Sequence, residues 1–337
     1  MSVNITIDDT SPLVHYSSGG AGWDIRQNAS DSTLYNGTYH KATSTSATVT
    51  LDFSGSSITV YGRSNRGYIA SVDSTLNFFN ESLTVKRGSN VLFHADDLDF
   101  GFHTVYVGNF GNFEGPELDF ELDSFVVGAK IGQENGTLPL KYIESDDPVV
   151  KGFGNVSTIA GGRNGTSLYA TGANSGISFS FTGASLAIYS PPWNPSLPSP
   201  SQYSVYINSS TIPPGKNDKP FTSYPGSTNG AGELRFFANG LSEGQHTVAI
   251  VNYQGSFGFD YATYTRPDRY VHYSNVCWAN CATTGVDSTK QQGPGYVQSQ
   301  QPQQTQSSFA TQQITAGTGR GIAIGLLLAS LMALSTF

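Results

Sequence analysis

Two tyrosines of the sequence, Tyr61 and Tyr189, are each followed by side chains that suit sugar binding. A sugar ring presents an apolar C–H face and a rim of hydroxyl groups, so its site needs an aromatic platform beside amide or guanidinium groups. The candidate ligand-binding residues on this argument are Tyr61, Arg63, Asn65, Arg66, Tyr189, Trp193 and Asn194. Two alternatives stay open: Trp193 folds back over a sheet edge, and the arginines are solvated loop charges.

Four acidic residues, which occupy corresponding places at the start and end of two similar stretches, suggest a cation site. Calcium takes hard oxygen ligands, and an ion that ties the first strand of a domain to its last would stabilise that domain. The candidate ligands of one structural Ca²⁺ in each domain are Asp8, Asp123, Glu144 and Asp260. The alternative is that these carboxylates accept hydrogen bonds from backbone amides or hydroxyl groups. No other cofactor is expected.

His103 and His246 hold the same place in a pattern, L-x-x-G-x-H-T-V, that occurs at 98–105 and again at 241–248. Without a partner His or Cys at ligand spacing, these histidines favour a structural role. The sequence contains no H-E-x-x-H, no G-x-S-x-G and no glycine-rich phosphate loop. We therefore expect no catalysis. A glycoside hydrolase, the less favoured alternative, requires two carboxylates that converge in a cleft.

The repeated pattern extends over most of the chain. Residues 36–61 fall on 164–189 without a gap, with Asn-Gly-Thr, Phe-(Ser/Thr)-Gly and Tyr in the same places. Ile7 and Pro12 likewise match Ile143 and Pro148. One kind of domain is therefore built twice.

Apolar and polar residues alternate within the matched block. Val49, Leu51 and Phe53 do so in the first copy, and the apolar positions of 177–181 repeat the alternation in the second. A period of two is typical of a half-buried strand, and the Gly-containing pairs that follow supply turns. The pattern predicts an all-β fold in which each copy is a two-sheet sandwich.

The ordered elements together resemble a known family. An I-[D/E]-x-x-x-P opening, an F-[S/T]-G turn, L-x-x-G-x-H-T-V and a closing strand with an aspartate are similar to the galactose-binding-like jelly rolls found in tandem on fungal surface proteins. The resemblance covers about residues 4–265. It implies two tandem jelly-roll β-sandwiches of the carbohydrate-binding-module type, which in many relatives bind glycans through loops at one end of the sheets.

The expected domain organisation follows from the repeat and from shifts in composition. It comprises jelly-roll domain 1 at 1–129, a linker at 130–141, jelly-roll domain 2 at 142–265, a disordered stalk at 266–320 and a hydrophobic anchor signal at 321–337. The stalk is rich in Gln, Ser, Thr and Gly and cannot bury enough apolar area to fold. Within it, Cys277 and Cys281 are expected to form a local disulfide, with pairing between chains as the alternative.

The C-terminal segment predicts membrane attachment. An apolar run at 321–337 that follows a polar spacer and small residues is typical of a GPI-anchor signal, with Ser308 as the expected attachment residue. A short transmembrane anchor is the alternative. GPI attachment requires entry into the secretory pathway, yet Met1 leads straight into the first domain. We therefore expect an N-terminal signal peptide to be missing from this sequence.

Composition favours an extracellular glycoprotein. The chain has 17 Lys plus Arg against 25 acidic residues, and this net charge of −8 argues against nucleic acid as a partner. Glycan acceptors of the form N-x-[S/T] are spread over both copies, at Asn4, Asn28, Asn36, Asn80, Asn135, Asn155, Asn164 and Asn208.

The sequence as a whole predicts a non-catalytic, lectin-like protein with two tandem binding modules. Its expected partners are glycans or cell-wall polysaccharide, and its expected location is the extracellular face of the plasma membrane or the cell wall. A structural or adhesive wall protein without a ligand site is the alternative.

Overall fold

A computed structural model describes most of the repeat region. The described residues are 1–17, 22–64, 67–73, 75–79, 90–109, 120–133, 137–192, 200–208, 210–211, 220–223, 232–242 and 244–268, with backbone alone at 75–79 and 210–211. All of them fall within one compact unit, Met1–Thr284. Several predictions lie outside the described residues, namely those for Asn65, Arg66, Asn80, Asn135, Trp193, Asn194, Cys277, Cys281, Ser308 and the segments beyond 268.

Regular structure in the described residues consists of antiparallel β-strands, and a 3₁₀ turn at Tyr35–Gly37 joins two of them; none of these residues forms an α-helix. The prediction of an all-β protein built from sandwiches is confirmed at this level. The first sandwich contains the strands β1 (Ser2–Asp8), β2 (Val14–Tyr16), β3 (Trp23–Gln27), β4 (Thr38–Ala42), β5 (Thr48–Gly55), β6 (Ser57–Ser64), β7 (Tyr68–Val72), β8 (Thr75–Phe79), β9 (Val91–Ala95), β10 (Gly101–Asn109) and β11 (Phe120–Lys130).

The strands of the second sandwich follow in the same way. They are β12 (Leu140–Glu144), β13 (Lys151–Phe153), β14 (Val156–Ala160), β15 (Thr166–Thr171), β16 (Ser175–Thr182), β17 (Ser185–Ser190), β18 (Ser201–Ile207), β19 (Ser210–Thr211), β20 (Phe221–Ser223), β21 (Glu233–Asn239), β22 (Gln245–Gln254), β23 (Ser256–Phe259) and β24 (Tyr261–Thr265).

The two sandwiches share one order of strand pairing. The first has one sheet in the order β3-β4-β11-β6-β9, with β1 also on β11, and one in the order β2-β5-β10-β7-β8. In the second sandwich, the sheet β13-β16-β22-β18-β19 is the counterpart of β2-β5-β10-β7-β8. The strands β12-β24-β17-β21 and β14-β15-β23 together are the counterpart of β3-β4-β11-β6-β9 with β1. The two copies of the sequence repeat therefore pair their strands in the same order.

An aspartate interrupts the closing strand of each sandwich. In the first, the register of β11 against β6 shifts between Leu122 and Ser124, on either side of Asp123. In the second, Asp260 separates β23 from β24. A bulge of this kind turns one side chain out of the regular alternation and bends the strand.

The inward residues of the alternating strands form the core. Val49, Leu51 and Phe53 are buried, and the apolar residues at 177, 179 and 181 are buried in the same way. The two sheets of a sandwich meet through aromatic contacts, such as Tyr203 with Phe257 at 4.6 Å between ring centroids. Each such apolar side chain contributes about 1.5–3 kcal/mol to folding by its burial.

Direct contacts join the two sandwiches. The Asn239 side-chain amide donates to the Ser54 carbonyl at 3.2 Å, and the Ser11 hydroxyl donates to the Leu234 carbonyl at 2.9 Å. These donors and acceptors are buried, so their hydrogen bonds hold one sandwich in a defined position against the other.

Candidate functional site

The first predicted sugar-binding residues, Tyr61 and Arg63, lie on β6 and are half-buried. The Arg63 guanidinium is 2.7 Å from an Asp31 carboxylate oxygen and also donates to the Thr33 hydroxyl. The Asp31 contacts raise the pKa of Arg63. Its guanidinium therefore holds a neighbouring loop, and the structure brings neither Arg63 nor Tyr61 into the cleft described next.

Tyr189 is the predicted residue that does lie in an aromatic group. Its ring stacks on Tyr261 with 4.6 Å between centroids and an interplanar angle of 14°. Tyr142 follows at 6.3 Å from Tyr261, and the Arg163 guanidinium carbon lies 3.7 Å from the centre of the Tyr142 ring. We call the space bordered by Tyr142, Arg163, Tyr189 and Tyr261 the tyrosine cleft.

Strand register explains why these tyrosines meet. β24 lies between β12 and β17, and Tyr261 is directly opposite Tyr189. Tyr142 is opposite Thr263, which is two residues along β24 and on the same face as Tyr261. Cross-strand neighbours on one face are close enough for their rings to touch. The tyrosine cleft is thus formed on the outer face of one sheet.

The first sandwich supplies the facing wall of the cleft. Val3, Asn4 and Ile5 of β1 line the same space of about 260 Å³ as the tyrosines of the second sandwich. That volume is a little below the roughly 300 Å³ at which pockets for drug-sized ligands begin, so it suits a single ring-sized group. A ligand there would contact both sandwiches.

The loop that carries Arg163 is tied to the bulge at Asp260. The Arg163 backbone amide donates to both Asp260 carboxylate oxygens, at 2.9 and 3.0 Å. Gly162 has a φ of +86°, and a Cβ there would lie 2.3 Å from an Asp260 oxygen, so only glycine fits. The Arg163 guanidinium then donates to a Glu144 oxygen at 2.6 Å. These contacts hold the guanidinium over Tyr142.

The hydroxyl groups of Tyr189 and Tyr261 remain protonated at neutral pH. Burial raises the pKa of Tyr261 to about 12, and burial raises that of Tyr189 well above its usual range. A protonated phenol both donates and accepts a hydrogen bond. The cleft therefore combines aromatic faces with hydroxyl groups that can pair with other hydroxyl groups.

The predicted calcium ligands of the first sandwich are engaged with protein donors. Asp8 accepts from the Thr10 hydroxyl at 2.8 Å, and Asp123 accepts from the Tyr35 backbone amide at 2.7 Å. Burial, followed by the charge of Asp9, raises the pKa of Asp8 to about 8.

The predicted calcium ligands of the second sandwich are also engaged with protein donors. Glu144 pairs with the Arg163 guanidinium, and Asp260 accepts a hydrogen bond from the Arg163 backbone amide. Within the described ranges, no three His, Cys, Asp or Glu side chains are grouped so as to hold a metal ion. The contacts match the hydrogen-bonding alternative, and calcium stays a prediction.

The two motif histidines bridge turns at the ends of strands. His246 Nε2 lies 2.9 Å from the Ser242 carbonyl, and its Nδ1 lies 3.0 Å from the Asn208 amide nitrogen. His103 makes the corresponding contacts with the Asp99 carbonyl, at 2.8 Å, and with Asp73. These contacts match the structural role expected of the motif, since each ring closes a loop onto the strand that carries it.

The side-chain amides of three acceptor asparagines form hydrogen bonds within the protein. Asn36 donates to Asp8 at 3.4 Å, and Asn164 donates to Asp146 at 3.3 Å. The Asn208 carbonyl oxygen accepts from the Thr247 amide at 3.0 Å. The asparagine of each matched Asn-Gly-Thr turn thus binds an acidic residue near the start of its own sandwich. Their glycosylation, like that of Asn4, Asn28 and Asn155, stays a prediction.

Sequence reasoning missed Tyr142, Arg163 and Tyr261. They correspond to Thr6, Tyr35 and Ser124 in the first copy, on the alignment that places Ile143 on Ile7, Asn164 on Asn36 and Asp260 on Asp123. The signal was present as a difference between the copies. These differences lie in and beside strands, whereas the ligand-binding residues predicted from the sequence lie at and directly after Tyr61 and Tyr189.

Comparison with known proteins adds little to the geometry. No family model matches the chain, and no curated protein matches it. Among solved structures, the chain is similar to Paenibacillus xanthan lyase at 10% identity and a TM-score of 0.28, covering 74% of this chain and 25% of that one. The chain is also similar to the ANXUR1 extracellular domain from Arabidopsis thaliana, at 10% identity and a TM-score of 0.28. That match covers 82% of this chain and 99% of the other.

A third similar structure is the M60 catalytic domain with the CBM51-1 and CBM51-2 domains from Clostridium perfringens ZmpB. The identity is 8% and the TM-score is 0.22, and the match covers 66% of this chain and 34% of that one. The chain spans about a quarter of the xanthan lyase. Every one of these TM-scores is below 0.5, so these similarities indicate no function for this chain. In the part of the chain that the structure describes, no helix is long and apolar enough to cross a membrane.

Proposed function

We propose that this protein is a non-catalytic glycan-binding protein with two tandem jelly-roll sandwiches, and that it holds a sugar in the tyrosine cleft. The observation that carries the proposal is the group of Tyr142, Tyr189, Tyr261 and Arg163 around a space of about 260 Å³. Tyr142 is 44% exposed, so part of an aromatic ring is available to a ligand. The apolar face of a sugar packs on such a ring, and its hydroxyl groups pair with the polar rim.

The proposal changes the number of sites expected from the sequence. Because β1 of the first sandwich and the tyrosines of the second line the same space, the two sandwiches share one cleft. The first sandwich has Thr6 and Ser124 where the second has Tyr142 and Tyr261, so the first lacks the aromatic group. We therefore infer one such site per chain in place of two equal modules.

The buried acid pair at the start of the first sandwich is a poor candidate for the two carboxylates of a glycoside hydrolase. Asp8 and Asp9, which lie side by side, are 3% and 0% exposed. A catalytic carboxylate must reach the glycosidic bond, and buried side chains of this kind do not.

Display on the cell surface through a GPI anchor, with cell-wall polysaccharide as partner, belongs to the same proposal. The composition of the expected stalk and the apolar C-terminal segment favour it.

Binding by the full chain to a glycan array and to wall polysaccharides tests the proposal. Tyr142→Ala is expected to weaken binding about tenfold, the equivalent of about 1.4 kcal/mol, because the aromatic platform is lost. The matched control is Tyr253→Ala, which removes another exposed tyrosine of the second sandwich, on β22 and outside the cleft.

Two results contradict the proposal. Equal loss in Tyr142→Ala and Tyr253→Ala would show that the cleft is not the site. Absence of binding to every glycan would instead support the structural or adhesive wall protein, whose sandwiches serve only as spacers.

A further inference from the structure

Arg163 is the one charged side chain among the described residues that line the tyrosine cleft. The other lining side chains are apolar or carry hydroxyl or amide groups. The Arg163 side chain is 41% exposed, whereas Asp260, which binds the Arg163 backbone amide, is buried. On the described wall of the cleft, a ligand therefore meets a cation and no carboxylate.

Glu144 engages only part of the Arg163 guanidinium. Nη1 donates to a Glu144 carboxylate oxygen at 2.6 Å, and the guanidinium makes no other hydrogen bond to a described residue. A guanidinium carries five N–H donors in one plane, so the donors on Nε and Nη2 remain available to a ligand. The second Glu144 oxygen is buried, and Glu144 does not line the cleft.

The guanidinium is held in place before a ligand binds. Its carbon lies 3.7 Å from the centre of the Tyr142 ring and 5.2 Å from the centre of the Tyr261 ring. A cation is attracted to an aromatic face, and this attraction consumes no N–H donor. The hydrogen bond to Glu144 restricts the same side chain. A ligand therefore binds an ordered arginine, and the entropic cost of ordering that side chain is reduced.

We propose that the tyrosine cleft binds acidic sugars of the uronic acid class, whose carboxylate pairs with Arg163. This inference rests on the proposed glycan-binding function and names the chemical class of its ligand. The sugar ring packs its apolar face on Tyr142 or Tyr261, and its carboxylate accepts hydrogen bonds from the N–H groups that Glu144 leaves available. Guanidinium and carboxylate groups match in planar geometry, and the hydrogen bonds between them are charge-assisted.

The charge of Glu144 weakens this attraction without reversing it. A ligand carboxylate at hydrogen-bond distance from Nε or Nη2 is closer to the guanidinium than to Glu144, whose own bond is to Nη1. Because the energy between two charges falls with distance, the attraction to Arg163 exceeds the repulsion from Glu144. Loss of the Arg163 charge and loss of the Glu144 charge should therefore change uronate binding in opposite directions.

Isothermal titration of the full chain with paired methyl glycosides tests the inference. Each pair consists of a hexoside and the uronic acid of the same configuration, such as methyl glucoside with methyl glucuronide and methyl galactoside with methyl galacturonide. The uronate of a binding pair is expected to bind at least about fivefold more tightly at low salt, because it gains a charge-assisted pair. Added salt should narrow that ratio, since it screens the attraction.

Charge-removing variants probe the cause. Arg163→Gln should bring the affinity ratio of uronate to hexoside close to one, and Glu144→Gln should raise that ratio several-fold. Arg26→Gln is the matched control, because Arg26 is also an exposed arginine paired with one carboxylate, that of Asp24, and does not line the cleft. That variant should leave the ratio unchanged. The salt series on the unaltered chain stands as the second measurement if Arg163→Gln fails to fold.

The outcomes separate this inference from the function on which it rests. Uronates that bind no more tightly than hexosides, or a ratio that a folded Arg163→Gln variant leaves unchanged, overturn the recognition of acidic sugars while leaving glycan binding in place. A panel in which no glycoside binds, together with a silent glycan array, overturns the proposed function itself.

Discussion

At the scale of single residues, the buried acid pair Asp8 and Asp9 sets a pH dependence of folding. Burial raises the pKa of Asp8 to about 8 and that of Asp9 to about 7, from an ordinary value of 3.8. The folded chain therefore binds these protons more tightly than the unfolded chain, and the free energy of unfolding falls as pH rises through this range. His40, whose pKa burial lowers to about 4, acts in the opposite direction between pH 4 and 6.5.

Asp8→Asn tests this assignment between pH 6.5 and 8, above the range in which His40 titrates. An amide keeps the hydrogen bonds of the protonated acid and cannot ionise. The fall in stability across that interval should therefore shrink, by at most about 2 kcal/mol, which thermal melts at several pH values would measure. If Asp8 instead bound calcium, the variant would be the less stable protein at pH 8, and EDTA would lower the melting temperature of the unaltered chain.

Only some residues of the cleft can be predicted from the sequence. The sequence predicts Tyr189 because a matched loop follows it, and this tyrosine does lie in the aromatic group. It does not predict Tyr142 and Tyr261, since the contact between their rings depends on which strands pair and in what register. Spacing along the chain reveals neither the pairing nor the register. Arg63 is predicted from its chemistry alone, and its pairing with Asp31 depends on a loop from another part of the sandwich.

At the scale of elements, the loop at 161–165 connects the bulge at Asp260 to the cleft. Gly162 allows the Asp260 carboxylate and the Ser167 hydroxyl to approach where a Cβ would stand, each at 2.3 Å. The sequence predicted the alternating strands of each copy from their period of two. It did not predict that the last strand divides at Asp260, because a bulge leaves that alternation locally intact on either side.

Gly162→Ala should displace this loop. Gly165→Ala is the matched control, because Gly165 has a similar φ of +84° with nothing within 4 Å of its Cβ position. In both variants an alanine must adopt a left-handed backbone conformation, which destabilises the folded state by about 1–2 kcal/mol. Gly162→Ala adds the steric clash with Asp260, so its total destabilisation is about 2–5 kcal/mol. Calorimetric melts should separate them, and only Gly162→Ala should also lose glycan affinity. Equal destabilisation would show that the Asp260 contact does not hold the loop.

For the complete chain, the existence of the cleft depends on how the two sandwiches pack against each other. The repeat in the sequence predicted two similar units but contained nothing about their contact. Ser54, which hydrogen-bonds with Asn239 across this contact, belongs to the F-[S/T]-G turn that both copies share. A turn present in both copies does not indicate which of the two meets the other sandwich. Duplication therefore supplied the scaffold twice, and divergence of a few strand residues in one copy supplied the aromatic group. The facing strand of the other copy completes the cleft.

The most direct test of this account is a crystal structure of the full chain with the tightest-binding oligosaccharide from the array. The account predicts one sugar ring per chain, packed on Tyr142 and Tyr261 and in contact with Val3, Asn4 or Ile5 of β1. A sugar bound at the segments after Tyr61 and Tyr189, or one ring on each sandwich with the tyrosine cleft unoccupied, would contradict it.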